Sequence, residues 1–310
     1  MSDWFIEHGD CLEVLKGAED NSFDAIVTDP PYGVNADTGS MVGQVAVGKE
    51  KRGGFAYGGA HTRGFAEHDP IAFQTWFTEV SREMLRVLKP GGHLLSFGAS
   101  RTAHRMATAI EDAGFEIRDS ISWLRSQGMP KGKNLPGGWS TALKTSYEPI
   151  VVARKPLVGT VTANVEQYGT GALNIGATRL EGDRWPPNVV LSHECGESCE
   201  SCVVTELGRQ SEFFPVFRYA PKPAKVEREG NHHPTPKPVD LMRWLVRLVT
   251  PKHGVVLDPF CGSGSTGVAA LMEGFDFVGV EREAEYVEIA RNRIDSAAVE
   301  AADNADTESA

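Results

Sequence analysis

An acidic residue followed by two prolines and a tyrosine, Asp29-Pro30-Pro31-Tyr32, comes directly after the apolar run Ala25-Ile26-Val27. An aromatic amine is a poor nucleophile because its lone pair is delocalised into the ring. If Asp29 and the Pro30 carbonyl both accept its hydrogen bonds, the nitrogen can pyramidalise and attack a methyl group in line. The prolines restrict φ and fix the carbonyl direction, and Tyr32 offers a face for base stacking. The motif therefore predicts chemistry on an amino group, and its alternative is a surface turn.

A second candidate site is the glycine turn at residues 257–267, which contains Gly262, Gly264 and Gly267. Glycines let the backbone pass close to a ligand, and a helix N-terminus offers unpaired N–H groups. Glu281 ends the next predicted strand, where its carboxylate could accept both hydroxyls of a ribose. The pattern fits a dinucleotide, S-adenosylmethionine or a structural turn. Because only one strand and one helix follow the turn, its position favours S-adenosylmethionine.

Strands and helices alternate along the chain and predict an α/β fold with a doubly wound, mostly parallel sheet. Residues 1–155 form a catalytic half that includes a flexible glycine-rich loop at 34–69. Residues 156–233 form an irregular inserted region, residues 234–296 a cofactor-binding half, and residues 297–310 a disordered acidic tail. Both motifs follow strands, so we expect them to meet at the C-terminal edge of the sheet.

The composition fits one globular domain, with 310 residues, 41% hydrophobic and 24% charged. The net charge of -11 opposes nucleic-acid binding at first sight. Basic residues nevertheless outnumber acidic ones by seven to two in residues 118–160 and by nine to four in residues 209–252, and local patches matter more than the total. The sequence shows no export signal and no apolar run long enough to cross a bilayer, which predicts a cytoplasmic protein that is not bound to a membrane.

A cluster of possible metal ligands lies within the inserted region. Its members are His193, Cys195, Cys199 and Cys202. Their spacing is close to that of structural zinc sites, although it lacks two well-separated pairs. Exposed reduced thiols are the alternative.

The two motifs, in this order, resemble the permuted beta group of amino-methylating DNA methyltransferases, in which Asp-Pro-Pro-Tyr precedes the cofactor turn. Three further segments carry the resemblance: His8-Gly9-Asp10-Cys11-Leu12, His233-Pro234-Thr235-Pro236-Lys237-Pro238 and Gly279-Val280-Glu281-Arg282. Two others, Arg184-Trp185-Pro186-Pro187-Asn188-Val189 and Phe217-Arg218-Tyr219, are similar to a subset found in phages and prophages. The family's circularly permuted, Rossmann-like methyltransferase fold is therefore expected.

The resemblance implies a site-specific enzyme that flips a base out of duplex DNA and methylates its exocyclic amino group directly. Asp at the first position of the motif favours N6 of adenine. Cytosine N4 and a catalytically idle DNA-binding relative are the alternatives. The implied catalytic residues are Asp29, Pro30, Pro31 and Tyr32. The implied S-adenosylmethionine-binding residues are Asp10, Cys11, Thr235, Lys237, Asp258, Phe260, Gly262, Ser263, Gly264, Thr266 and Glu281.

Base recognition is assigned by position to the inserted region, which makes it the expected target-recognition region. A homodimer is expected from the resemblance. Whether a restriction endonuclease accompanies the enzyme in a restriction-modification system stays open.

Overall fold

The strands of the protein join in one sheet, seen in a computed structural model that describes residues 2–31, 70–125, 133–193, 202–218 and 236–308. Within these ranges the sheet has nine strands. They are β1 (Trp4–His8), β2 (Phe23–Thr28), β3 (Leu88–Phe97), β4 (Glu116–Leu124), β5 (Tyr147–Arg154), β6 (Val189–His193), β7 (Val216–Arg218), β8 (Val255–Asp258) and β9 (Asp276–Glu281).

The strand order interleaves the two ends of the chain and runs β1-β9-β8-β2-β3-β5-β4-β6-β7. Every neighbouring pair is parallel except those that β5 makes with β3 and β4. The predicted mostly parallel sheet is confirmed. All strands other than β5 therefore end at the same edge of the sheet, together with the start of β5.

Helices cover both faces of the sheet. They are α1 (Cys11–Gly17), α2 (Pro70–Val87), α3 (Ala103–Asp112), α4 (Val161–Tyr168), α5 (Val203–Leu207), α6 (Val239–Val249), α7 (Ser265–Met272) and α8 (Ala284–Glu308). The first three pack on one face through residues such as Phe77 and Ile110, whereas α6, α7 and α8 pack on the other through Leu245, Ala269 and Ile294. No described helix is long and apolar enough to cross a bilayer.

Helix α2 shows why the sequence pattern works and where it fails. Phe73, Phe77, Val80, Met84 and Val87 recur at helical spacing and are all buried, as an amphipathic helix requires. The sequence predicts a helix that includes Leu88 and a stop at residues 89–92. Instead β3 begins at Leu88 and continues through those residues. Pro90 is tolerated there because the ladder between β3 and β5 starts only at His93, so no ladder hydrogen bond from residue 90 to β5 is required.

The prediction of an irregular region at 156–233 is wrong for much of its described part. Strands β6 and β7 extend the sheet beyond β4, in parallel, and α4 packs near the start of β3. Each of these elements is short, at five, three and eight residues. Periodicity over such lengths is too weak to separate a strand or helix from irregular chain.

Helix α8 contradicts the predicted disordered tail, because it continues from Ala284 to Glu308. Alanine, the strongest helix former, recurs from residue 297 to residue 305 and favours a helix although the segment is acidic. Ala297 still packs on the core with 4% of its surface exposed.

Asn164 anchors α4 to the sheet. It is fully buried, and its amide nitrogen donates to the carbonyl oxygens of Pro90 at 2.9 Å and Thr170 at 2.8 Å, while its oxygen accepts from Val158 N at 2.9 Å. Gly91 makes room for it, since a Cβ there would lie 2.4 Å from the amide nitrogen, and its φ of +77° is one that glycine adopts at no steric cost.

Replacing Asn164 by Ala should lower the free energy of unfolding by about 2 to 4 kcal/mol, because Val158 N and Thr170 O lose their hydrogen bond to Asn164 and Pro90 O is left with the one from Thr170 Oγ1. Denaturant unfolding at fixed pH measures it. Asn174→Ala is the matched control: that side chain is exposed and accepts one hydrogen bond, from Ala177 N at 3.2 Å, so its cost should stay below about 1 kcal/mol. Equal costs for the two variants would contradict the anchoring role.

Candidate active site

The two sequence motifs lie side by side because β2 and β8, which end in them, are adjacent and parallel, with Ala25 opposite Val256 and Ile26 opposite Leu257. At the ends of these strands, Thr28 Oγ1 donates to Asp258 Oδ1 at 2.6 Å. Asp29 follows Thr28 and the glycine turn follows Asp258. The expected meeting of the motifs at the C-terminal edge of the sheet is therefore confirmed.

Asp258 braces the turn from inside. It is 2% exposed and accepts hydrogen bonds from Thr28, from Thr266 Oγ1 at 2.5 Å and from Phe260 N at 3.0 Å. Burial raises its pKa from 3.8 to about 6, although these hydrogen bonds favour the charged form. The described contacts of Asp258 and Thr266 are thus structural, and direct contact of either with a cofactor stays a prediction.

The glycine turn itself is held by Glu281, which ends β9 beside β8. Its carboxylate accepts from Gly262 N and from Glu283 N, both at 2.8 Å. Burial raises the pKa of Glu281, against these backbone hydrogen bonds. Gly264 precedes α7 with φ +81°, and a Cβ there would lie 3.0 Å from Ala290. Only glycine therefore fits between the turn and α8.

Arg293 of α8 also supports the turn and was missed by sequence reasoning. Its guanidinium donates to the Ser263 carbonyl and to Ser263 Oγ at 2.9 Å. A single arginine within a helix carries no motif that could have signalled this role. Ser263, predicted to bind the cofactor, is 3% exposed.

Asp10 and Cys11 belong to the neighbouring strand end. His8 of β1 lies opposite Glu281 of β9, so Asp10 is near the same edge. Its side chain is exposed and caps α1 by accepting from Leu12 N at 3.0 Å. Cys11 is 7% exposed, and burial raises its pKa to about 12. Its thiol is therefore a core group.

Cys261 is a packing residue in the turn. It is buried, and a Cβ on Gly279 would lie 2.8 Å from its sulfur. Burial also raises its pKa well above the ordinary value. Cys261 therefore packs as a small residue inside the turn, and these contacts give no support to a role as a nucleophile.

Lys237 joins the segment before α6 to the catalytic motif. Its ammonium is in direct hydrogen-bond contact with Asp29 Oδ2 and lies 3.6 Å from Glu148 Oε2 and 4.8 Å from the centre of the Phe97 ring. Burial lowers the pKa of Lys237, but attraction to Asp29 and Glu148 outweighs it and the pKa is raised. The lysine is therefore a cation held within the site.

Glu148 and Arg125 complete this charged group and were not singled out from the sequence. Arg125 Nη2 pairs with Glu148 Oε1 at 2.6 Å, and its guanidinium carbon lies 5.0 Å from the centre of the Trp123 ring. Trp123 is buried and donates to Ser192 Oγ at 2.6 Å. In the sequence, Arg125 is only one of the seven basic residues of the patch at 118–160.

The remaining predicted residues divide between the described and undescribed ranges. Pro30 is buried and Pro31 is exposed. Phe260 is half-buried against Trp76, with ring centroids 5.8 Å apart. Tyr32, Thr235 and the loop at 34–69 lie outside the described residues.

The zinc hypothesis finds no support in the described ranges, where no three His, Cys, Asp or Glu residues are grouped as metal ligands. Cys195 and Cys199 lie outside those ranges. Cys202 is 1% exposed, and its sulfur accepts from Thr205 N at 3.5 Å at the start of α5. His193 ends β6.

The raised pKa of Asp258 has a measurable consequence for stability. Because the folded-state pKa of about 6 lies above the ordinary 3.8, the carboxyl contributes most below pH 3.8, and that contribution is lost as the pH rises through 6. Thr28→Val removes a donor to this group, so it should lower the free energy of unfolding by about 2 kcal/mol at pH 8 and about 1 kcal/mol at pH 5.

Urea unfolding at the two pH values measures this difference. Thr250→Val is the matched control, because Thr250 is 2% exposed and its hydroxyl has no hydrogen-bond partner in the described part of the chain. The control should show no dependence on pH. A Thr28→Val cost that is larger at pH 5 than at pH 8 would contradict the coupling to Asp258.

Comparison with known proteins agrees with this geometry. A type II methyltransferase of Haemophilus influenzae, M.HindIII, is 28% identical over 93% of this chain and 94% of its own length. A protein from Thermus thermophilus, named as a DNA modification methylase and crystallised with S-adenosyl-L-methionine, is 22% identical over 96% of each chain with a TM-score of 0.52. The PvuII DNA methyltransferase, which is cytosine-N4-specific, is 18% identical over 94% of this chain and 86% of its own, with a TM-score of 0.62.

The sequence profile of the N6/N4 methyltransferases, described as DNA methylases, matches residues 23–292. This range contains both motifs and most of the described sheet. The chain therefore belongs to the N6/N4 family of amino-methylating DNA methyltransferases.

Proposed function

We propose that this DNA methyltransferase transfers the methyl group of S-adenosylmethionine to N6 of adenine in duplex DNA. The observation that carries the proposal is the adjacency of Asp29 and the glycine turn, which follow neighbouring strands joined by the hydrogen bond between Thr28 and Asp258. A methyl donor bound at the turn and an amino group bound at Asp29 are then next to each other.

The hydrogen-bonding groups at this edge of the sheet fit S-adenosylmethionine. Glu281 offers carboxylate oxygens for ribose hydroxyls, the exposed Asp10 offers another acceptor nearby, and the glycine turn leads into the N-terminus of α7. When bound, S-adenosylmethionine supplies a methyl group activated by a sulfonium. The solved Thermus thermophilus relative, which was crystallised with this molecule, adds support.

Asp29 and Pro30 orient the target amino group. The carboxylate and the carbonyl accept its two N–H groups, so the nitrogen becomes pyramidal and its lone pair is directed at the methyl carbon. Asp29 acts mainly as a hydrogen-bond acceptor, and after transfer the methylated nitrogen loses its extra proton to water. Lys237 contacts Asp29 and holds its carboxylate in place before the target amino group binds.

The choice of adenine depends on Asp29, since the fold does not select the base. The cytosine-N4-specific PvuII methyltransferase shares the fold with a TM-score of 0.62. Asp at the first position of the motif is typical of adenine methylation in the family that the sequence resembles. Cytosine N4 is therefore the second candidate acceptor.

Exposed aromatic and basic side chains support a DNA-binding surface in the described part of residues 133–218. Trp139 is 74% exposed and Trp185 is 68% exposed. The Arg179 guanidinium lies 5.7 Å from the Trp185 ring, and that of Arg184 lies 4.7 Å from the Phe213 ring. Such groups suit phosphate contact and stacking on a flipped base or its neighbours. Target recognition by this region and a homodimer in solution stay predictions.

Asp29→Asn should reduce methyl transfer to unmethylated duplex DNA by at least about 100-fold, because an amide is a weaker acceptor and its N–H groups oppose those of the substrate. Radiolabelled S-adenosylmethionine and purified protein measure the rate, while calorimetry should show cofactor affinity within about threefold of wild type. Asp112→Asn, an exposed change on α3, should leave the rate unchanged. Full activity of Asp29→Asn would contradict the proposal.

Mass analysis of nucleosides from the methylated DNA distinguishes the two candidate bases. We expect N6-methyladenine to carry the label, because of the Asp at position 29. Label confined to N4-methylcytosine would overturn the choice of base and leave the amino-transfer mechanism intact. Cofactor binding without label in any nucleoside would favour an idle relative.

A further inference from the structure

The start of β5 contributes a carboxylate to the catalytic edge. Because β5 is antiparallel to both of its neighbours, Glu148 at its start lies opposite Trp123 near the end of β4, and Ile150 lies opposite Phe97 at the end of β3. The Glu148 side chain is only 16% exposed. Nothing in the Asp-Pro-Pro-Tyr motif or the glycine turn includes this residue.

Glu148 faces the lysine that holds Asp29. Its Oε1 pairs with Arg125 at 2.6 Å, whereas its Oε2 lies 3.6 Å from Lys237 Nζ. Oε2 is buried and accepts no hydrogen bond from any described residue. A buried carboxylate oxygen without a hydrogen-bond donor raises the free energy of the folded protein. A closer approach of Lys237 to this oxygen is therefore favourable.

Lys237 thus has two carboxylates within reach, one in direct contact and one 3.6 Å away. An ammonium held tightly on Asp29 withdraws negative charge from the oxygens that must accept the target amino group. A second carboxylate that draws the ammonium away makes Asp29 a better acceptor. The four side chains, Asp29, Glu148, Lys237 and Arg125, sum to zero charge, so the shift leaves no net charge buried.

We propose that Glu148 is a positioning residue that takes Lys237 from Asp29 when the target amino group arrives. This inference rests on the proposed function. Glu148 acts through Lys237 and does not touch the base. It sets how strongly Asp29 accepts hydrogen bonds in the step of methyl transfer, and binding of cofactor and DNA depends little on it.

Glu148→Gln should therefore lower the single-turnover rate of methyl transfer by about 10-fold. Dissociation constants for S-adenosylmethionine and for duplex DNA should change by less than about threefold, because the interaction matters mainly in the transition state. Glu148→Asp, which keeps the charge on a shorter side chain, should fall between Gln and wild type. It also keeps the test decisive if the Gln variant folds poorly.

Glu116→Gln is the matched control. Glu116 lies at the other end of the same strand pair and binds Arg154 at 2.6 Å, so the change removes a comparable carboxylate next to an arginine. Its rate of transfer should equal that of wild type. A rate loss equal to that of Glu148→Gln would mean that any disturbance of β4 and β5 slows the enzyme, which would overturn the inference.

A double-mutant cycle in stability tests whether Glu148 acts through Lys237 even if Lys237→Met is inactive. Glu148→Gln should lower the denaturant concentration at the midpoint of unfolding, and this decrease should be at least halved when Lys237→Met is also present. A slow Glu148→Gln enzyme with no such coupling would overturn the route through Lys237, and an unslowed one would overturn the inference itself. An inactive wild type would instead contradict the proposed function.

Discussion

The pairing of β2 with β8 is the constraint on which the rest of the structure depends. These strands come from opposite ends of the chain. Their ends are joined at the buried Asp258 carboxylate, which accepts hydrogen bonds from the hydroxyls of Thr28 and Thr266. A fully buried carboxylate is costly unless its oxygens are satisfied. The same hydrogen bonds therefore tie the ends of β2 and β8 to each other and to α7, and fix the separation between Asp29 and the cofactor turn.

The two acidic groups at this junction have different partners and therefore different chemistry. Asp258 is surrounded by hydroxyl and backbone donors, and burial raises its pKa to about 6. Asp29 is partly exposed and contacts the ammonium of Lys237, which lies 3.6 Å from Glu148, and Glu148 in turn pairs with Arg125. Removing one partner of a buried ion pair costs about 3 to 5 kcal/mol, so a change of partner at Asp29 requires another group to take the place of Lys237.

Much of this arrangement follows from the sequence, because both motifs are local. Each directly follows an apolar strand, so the edge of the sheet on which they meet can be predicted. Glu148 and Arg293 could not be found in the same way, since each is a single charged residue whose partner is set by tertiary packing. Strands β6 and β7 were missed because three to five residues carry too little periodicity. The extent of α8 was missed because charge was weighed above helix propensity.

A crystal structure of the protein with S-adenosylmethionine would show whether the glycine turn places the methyl donor against Asp29, and it needs no knowledge of the recognition site. We expect the ribose to lie at Glu281 and the methyl group to point towards Asp29 and the Pro30 carbonyl, with space between them for one amino group. A cofactor bound away from the glycine turn, or with its methyl group directed away from Asp29, would contradict it.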